Sequence, residues 1–223
     1  MVFEIKAIIF DYGNVLCLPQ PAEDIQAMAA AVNMPLDDFT KIYWRDRTAY
    51  DRAEMEPPEY WGRLTGRQLD AAEVAKLVDL DNRSWTHPNE KTLAYVDAAK
   101  RKHLRTALLS NLPAGLKTVL ENDCNWLPDF DVRTYSCDVR KTKPDPGIYE
   151  ECVRALGVKH PEAVFLDDRP ENVKGAMEIG IRAVLFQSAE QALTDLRTQY
   201  GVNLQPDGRP AGLSRAAVRP VRT

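Results

Sequence analysis

The sequence of 223 residues predicts the α/β class: a parallel sheet with helices on both faces and a helical insertion near its start. Three observations carry this. Five short apolar runs are nearly continuous rather than alternating, as strands covered on both faces are. Helical patterns separate the later runs, and strand–helix alternation implies βαβ crossovers. Between the first and second runs, more than ninety residues contain no strand-like segment.

In chain order, the first strand is Lys6–Phe10 (KAIIF). Helices are then expected at Ala22–Val32, Leu36–Arg47, Pro58–Leu64 and Ala71–Trp85, a stretch that holds Tyr43, Trp44, Tyr50, Tyr60, Trp61 and Trp85. Pro88–His103 spaces Leu93, Val96 and Ala99 as one helix face and leads to the second strand, Arg105–Leu109. A weaker strand follows at Val132–Tyr135. Pro146–Leu156 opens on proline and stops at Gly157, both terminal signals of a helix. The fourth strand is Ala163–Leu166, the next helix Pro170–Ile179 ends at Gly180, and the fifth strand is Arg182–Phe186. Ser188-Ala-Glu-Gln191 reads as a capping box opening a last helix that stops before Gly201. The domains expected are a Rossmann-like core of residues 1–19 and 87–202, a helical insertion at 20–86, and a disordered basic tail at 203–223. That tail holds four Arg against one Asp, so its +3 leaves −7 on the rest of a chain whose net charge is −4.

Composition removes several functions. Hydrophobic residues at 44% and charged residues at 28% suit a packed domain, not a disordered chain. The negative balance argues against a nucleic-acid binder. No apolar run approaches the roughly 18–20 residues of a membrane span, and the N-terminus lacks a secretory pattern. Cys17, Cys124, Cys137 and Cys152 have no zinc-site spacing, so free thiols in a reducing cytoplasm are expected.

The residues that follow the strands carry the chemistry. In open parallel sheets ligands bind outside the carboxyl ends of the strands. Asp11 follows the first strand, Ser110 and Asn111 the second, and Asp167 and Asp168 the fourth; a loop past the third supplies Lys141 and Lys143. Clustered carboxylates repel unless a hard divalent cation neutralises them, and Mg²⁺ takes one or two carboxylates together with water and substrate phosphate. A lysine adds a point charge for a second anion. Together these make a phosphate site, with Asp11 placed as a nucleophile able to form an aspartyl-phosphate.

The segments IIFDYGNVL (8–16), LLSN (108–111), KTKPDPGIYEECVRALGV (141–158) and VFLDDRPENVKGAMEIGIRAVLF (164–186) resemble, in order, the four motifs of the haloacid dehalogenase-like hydrolase superfamily. The resemblance spans about residues 6–188. It implies Asp11 as nucleophile, and Mg²⁺ held by Asp11, the Gly13 carbonyl and Asp168, with Asp167 ligating directly or through water. It also implies that Ser110 and Asn111 bind phosphate, that Lys143 rather than Lys141 neutralises the nucleophile and the phosphoryl group, and that Asn172 orients the acidic loop. The insertion would be a helical cap that closes over the site and selects the substrate. Tyr43, Trp44, Arg45, Asp46, Tyr50 and Asp51 of the insertion lie roughly where such caps contact a substrate. Their aromatic and charged mixture suits a sugar phosphate or another small phosphorylated metabolite; the alternative is that Tyr43, Trp44 and Tyr50 form the cap's own core.

Two departures qualify this. The usual general acid–base Asp, two residues after the nucleophile, is replaced by Gly13, a loss on the order of 10²- to 10⁴-fold unless another group acts. An Asp-x-Gly-Asn-Val form resembles a subgroup that includes α-D-glucose-1-phosphate phosphatases; Asp46 and Asp51 of the insertion are the substitute carboxylates considered. A catalytically weak member that binds a phosphometabolite or a protein is the alternative Gly13 raises. Tyr12 and Gly13 also resemble, one place out of register, the first motif of 2-haloacid dehalogenases, but those enzymes use no metal and lack the Asp167-Asp168 pair.

Overall fold

The computed structural model describes residues 3–205. Five strands, β1 (Ala7–Phe10), β2 (Arg105–Ser110), β3 (Val132–Tyr135), β4 (Ala163–Asp167) and β5 (Arg182–Leu185), form one sheet in the order β3-β2-β1-β4-β5. All four pairings are parallel. The chain winds outward from β1 through β2 to β3, then returns to the other side of β1 for β4 and β5. Strand order therefore reverses at β1, where a parallel sheet opens a crevice at its carboxyl edge.

Side-chain alternation assigns the two faces. Ile8, Phe10, Leu108, Val164 and Leu166 pack with Leu93 and Val96 of α6 (Glu90–Arg101), Leu116 and Leu120 of α7 (Ala114–Asp123), and Leu196 of α11 (Ala189–Tyr200). Ala7, Ile9, Ala107, Leu109 and Phe165 pack on the opposite side with Ile148, Tyr149 and Cys152 of α9 (Pro146–Leu156) and Ala176 of α10 (Pro170–Glu178). Both faces are dry, so the strands need no polar alternate residues.

Between β1 and β2 run α1 (Ala22–Ala31), α2 (Leu36–Tyr43), α3 (Arg47–Asp51), α4 (Pro57–Thr65) and α5 (Ala71–Ser84). They bury their own cluster, including Met28, Phe39, Tyr43, Tyr60, Trp61, Leu64 and Leu77. The helix expected over Leu36–Arg47 ends earlier, at Tyr43. Trp44 to Asp46 form a bend, and α3 starts in a new direction. The break lets Tyr43 and Tyr50 enter the cluster while Trp44 stays 49% exposed. Two further helices carried no clear sequence signal, α7 and the four-residue α8 (Ser136–Val139).

Leu204, the second residue of the tail expected at 203–223, is buried together with Val202 against the β1–α6–α11 side of the core, so the described start of that segment is packed. The remainder of that expected tail, 206–223, lies outside the described residues. The four cysteines are free and buried. Among the described residues, no helix is long and apolar enough to cross a membrane.

Candidate active site

Strand register brings the acidic residues together. Phe10 pairs with Leu108 on one side and Leu166 on the other, so the next residue, Asp11, sits level with Leu109 and Asp167. The Asp11 N–H donates to the Leu166 carbonyl at 2.9 Å. Carboxylate oxygens of Asp11, Asp167 and Asp168 all lie within 4.8 Å of one another.

Lys143 sits among them, 4% exposed. Its Nζ is 2.6 Å from Asp11 Oδ1 and 2.7 Å from Asp167 Oδ2, and it donates to the Leu109 carbonyl at 3.0 Å. An ammonium has three hydrogens, and these three acceptors use them all. Burial opposes the charge on Lys143, but Asp11 and Asp167 outweigh it and raise the lysine pKa. Burial pushes the Asp11 carboxyl up to about 8, against the pull of Lys143 and with the push of Asp167 and Asp168. Burial likewise raises Asp168, opposed by its hydrogen bond from Asn14. Three carboxylates facing one ammonium leave an excess of two negative charges when all are ionised.

The three carboxylates differ in what they can still bind. Asp167 is fully buried, and both its oxygens accept from Asn172 Nδ2, at 3.0 and 3.1 Å; Oδ1 also accepts from the Arg169 N–H at 2.9 Å. Asp11 holds its partners on Oδ1, from Lys143 and from the Tyr12 N–H at 2.6 Å. Asp168 Oδ2 accepts from Asn14 Nδ2 at 2.8 Å. Asp11 Oδ2 and Asp168 Oδ1 accept no hydrogen bond from another of the described residues, so these are the oxygens left for a ligand.

The turn after β1 is built for this. Gly13 (φ −61°, ψ 133°) and Asn14 (φ 59°) break the helical path between Tyr12 and Leu16. Asn tolerates the left-handed region better than most residues, and here it turns its amide onto Asp168. Gly13 has an ordinary backbone, and a Cβ there would rest against the Trp85 ring in ordinary van der Waals contact at 3.4 Å. Trp85 in turn donates its indole N–H to the Tyr43 hydroxyl at 3.1 Å and accepts at its carbonyl from Tyr12 Oη.

Ser110 ends β2, buried, and lines the same cavity as Asp11. Asn111 uses both ends of its amide on the Lys143 backbone, donating to its carbonyl at 3.0 Å and accepting from its N–H at 2.8 Å. Its side chain thus positions the lysine. Lys141 is exposed and lies against Gly147, away from the carboxylates.

The cavity has a volume of about 450 Å³. Its wall on the sheet side includes Asp11, Gly13, Asn14, Ser110, Lys143 and Asp168. The helical insertion contributes Trp44, Arg47, Thr48, Asp51 and Trp85. Of the aromatic and charged residues expected to meet a substrate, Tyr43 and Tyr50 are instead buried in the insertion's own cluster. Arg45 and Asp46 pair with each other at 2.9 Å, and Asp46 is not part of the wall. Sequence reasoning missed Asn14, Arg47, Trp85 and Arg169; only Asn14, after a glycine in a strand-end turn, carried a local signal.

A family model described as haloacid dehalogenase-like hydrolase matches residues 5–180. Among curated proteins, mouse acyl-CoA dehydrogenase family member 10 is 27% identical over 92% of this chain, but the match covers only 20% of that protein. Phosphatase MT3486 of Mycobacterium tuberculosis is 28% identical over 84% of this chain and 89% of its own length. Among solved structures, a predicted HAD-like family hydrolase from Porphyromonas gingivalis superposes with a TM-score of 0.69 at 23% identity, covering 87% of this chain and 98% of that one. A HAD family enzyme of Bacteroides thetaiotaomicron, complexed with magnesium and inorganic phosphate, has a TM-score of 0.59 at 20% identity, covering 81% and 93% of the two chains.

Proposed function

The chain belongs to the haloacid dehalogenase-like hydrolase family, and from that premise we propose that it is a Mg²⁺-dependent phosphatase of a small phosphomonoester, such as a sugar phosphate, acting through an aspartyl-phosphate on Asp11. The observation that carries this is the convergence of three strand-end carboxylates on one buried lysine beside Ser110. The donor set fits a hard divalent cation: all oxygen, an excess of two negative charges, and two carboxylate oxygens left free. Asp11, Asp168 and the Gly13 carbonyl would hold it, with Asp167, whose oxygens are already engaged, reaching it through water. When bound, the cation supplies charge stabilisation for the phosphoryl oxygens.

The protein's own groups do the rest. Lys143 orients and neutralises Asp11, so that one of its carboxylate oxygens can face the cation and the other phosphorus. Ser110 donates its hydroxyl to a phosphoryl oxygen, and Lys143 offsets charge on the transferring group. The helical insertion acts as the cap, its Trp44, Thr48 and Asp51 facing the alcohol half of the ester. The name of the M. tuberculosis relative supports phosphatase chemistry, and Asp167-Asp168 argues against metal-free dehalogenation.

The test is turnover of an activated aryl phosphate and a panel of sugar phosphates, with and without Mg²⁺, with Asp11→Asn as control. Turnover that needs both metal and Asp11 is expected. Turnover indifferent to both would refute the proposal, and tight metabolite binding without turnover would favour the catalytically weak alternative.

A further inference from the structure

Position 13 is a glycine and supplies no carboxylate. A phosphatase still has to protonate the departing alkoxide and later activate water. Resting on the phosphatase reading, we infer that Asp51, carried by the helical insertion, is the general acid–base residue that reaches the leaving oxygen.

Three observations place Asp51 for this. It lines the same cavity as Asp11 and Ser110, in the part of the wall that the helical insertion supplies. Its backbone is fixed to the strand-end loops: Ser136 Oγ donates to the Asp51 carbonyl at 2.6 Å and accepts from the Leu112 N–H at 2.9 Å. Leu112 is two residues beyond Ser110, so one hydroxyl ties α3 to the loop that holds the phosphate-binding serine. Its carboxyl is half-engaged: Oδ1 accepts from Arg47 Nε at 2.8 Å, whereas Oδ2 has no partner among the described residues.

The surrounding charges suit an acid–base role. Arg47 is shared: its Nη1 donates to both oxygens of the buried Asp81, at 3.0 and 2.9 Å. One guanidinium thus faces two carboxylates, and Asp51 can take up a proton without leaving Arg47 unpaired. Burial, offset by Arg47 and aided by Asp81 of α5, pushes the Asp51 carboxyl up to about 6. Arg169, from the loop after β4, pulls the other way. Cys137 of α8 and the hydroxyls of Tyr50 and Tyr60 are the other titratable groups that sense it. Asp46, its neighbour in sequence, has no comparable position.

The chemistry balances. A carboxylate oxygen of Asp11 forms a bond to phosphorus as the ester P–O bond breaks, and the leaving oxygen takes that electron pair and the proton of Asp51, departing as an alcohol. Asp51, now a carboxylate, accepts a proton from water as the water oxygen bonds to phosphorus. The bond from phosphorus to Asp11 breaks, its electrons return to Asp11, and inorganic phosphate leaves.

The experiment compares an alkyl phosphate, whose alkoxide needs a proton, with p-nitrophenyl phosphate, whose phenolate does not. Asp51→Asn is expected to lower kcat/KM on the alkyl ester by on the order of 10²- to 10⁴-fold and on the aryl ester by about tenfold or less. The wild-type kcat/KM on the alkyl ester falls above about pH 6 as Asp51 ionises, and Asn removes that limb. Asp51→Glu, which keeps the acid, retains most alkyl turnover and moves the limb; thermal unfolding of each variant separates folding losses from chemistry. Equal losses on the two esters, or a pH limb unmoved in Asp51→Glu, would overturn the assignment of Asp51. Absence of wild-type turnover on every ester overturns the phosphatase reading itself, and this inference with it.

Discussion

Lys143 shows how much one side chain holds in place. Its three hydrogens meet Asp11, Asp167 and the Leu109 carbonyl, each fixed by a different strand. Removing the ammonium leaves two buried carboxylates facing each other. Lys143→Met is therefore expected to abolish turnover and to destabilise the fold by about 3–5 kcal/mol, the usual cost of stranding buried charge, read as a lowered midpoint in thermal or urea unfolding. Lys143→Arg should not restore activity. A planar guanidinium cannot direct three donors to three acceptors arranged around one nitrogen. A variant that unfolds like wild type would show that the lysine does not neutralise these carboxylates. The same dependence makes Asn111 and Asn172 positioning residues: one fixes the Lys143 backbone, the other fixes Asp167.

Helix ends test the reading of elements. Ser188 Oγ accepts from the Gln191 N–H at 3.1 Å, and Gln191 Oε1 accepts in return from the Ser188 N–H at 3.4 Å, a capping box at the start of α11. Ser188→Ala should cost about 1 kcal/mol in urea unfolding while leaving kcat/KM unchanged, since α11 lies away from the cavity wall. This box was legible because both partners lie within four residues. So were the strands, nearly continuous apolar runs except for the weaker Val132–Tyr135, and the stop of α9 at Gly157 (φ 69°). The site was half legible for the same reason. Asp11, Ser110, Asp167 and Asp168 stand where strands end, and a strand end can be read locally. The break between α2 and α3 could not be read, because it is set by which of Tyr43, Trp44 and Tyr50 the insertion buries. Nor could Trp85 opposite Gly13, Ser136 beneath Asp51, or Arg47 between Asp51 and Asp81. Each of those pairings joins residues far apart in sequence or depends on a bend that no periodicity marks.

At the scale of the molecule, the site is where the sheet is electrostatically incomplete. β1 and β4 lie side by side and each ends in a buried carboxylate, with Asp168 one residue further on. Lys143, brought in by the loop before α9, offsets one of the three charges. On the proposed reading, a divalent cation held by Asp11, the Gly13 carbonyl and Asp168 would offset the other two and would tie the turn after β1 to the loop after β4, where strand order reverses. Ligand binding to the folded state alone stabilises it by RT ln(1 + [L]/Kd), about 2.7 kcal/mol at a hundredfold excess over Kd. For a chain of this size that is a rise in melting temperature of roughly 5–10 °C. Adding Mg²⁺ to EDTA-treated protein should give such a rise, whereas NaCl at matched ionic strength should not, because the charges are buried and poorly screened. Asp168→Asn should fold but lose the Mg²⁺-dependent shift, since it removes the ligand whose second oxygen is free. A melting temperature indifferent to Mg²⁺ in the wild-type protein would mean that the excess charge is met by protonation of the carboxylates instead of by a metal.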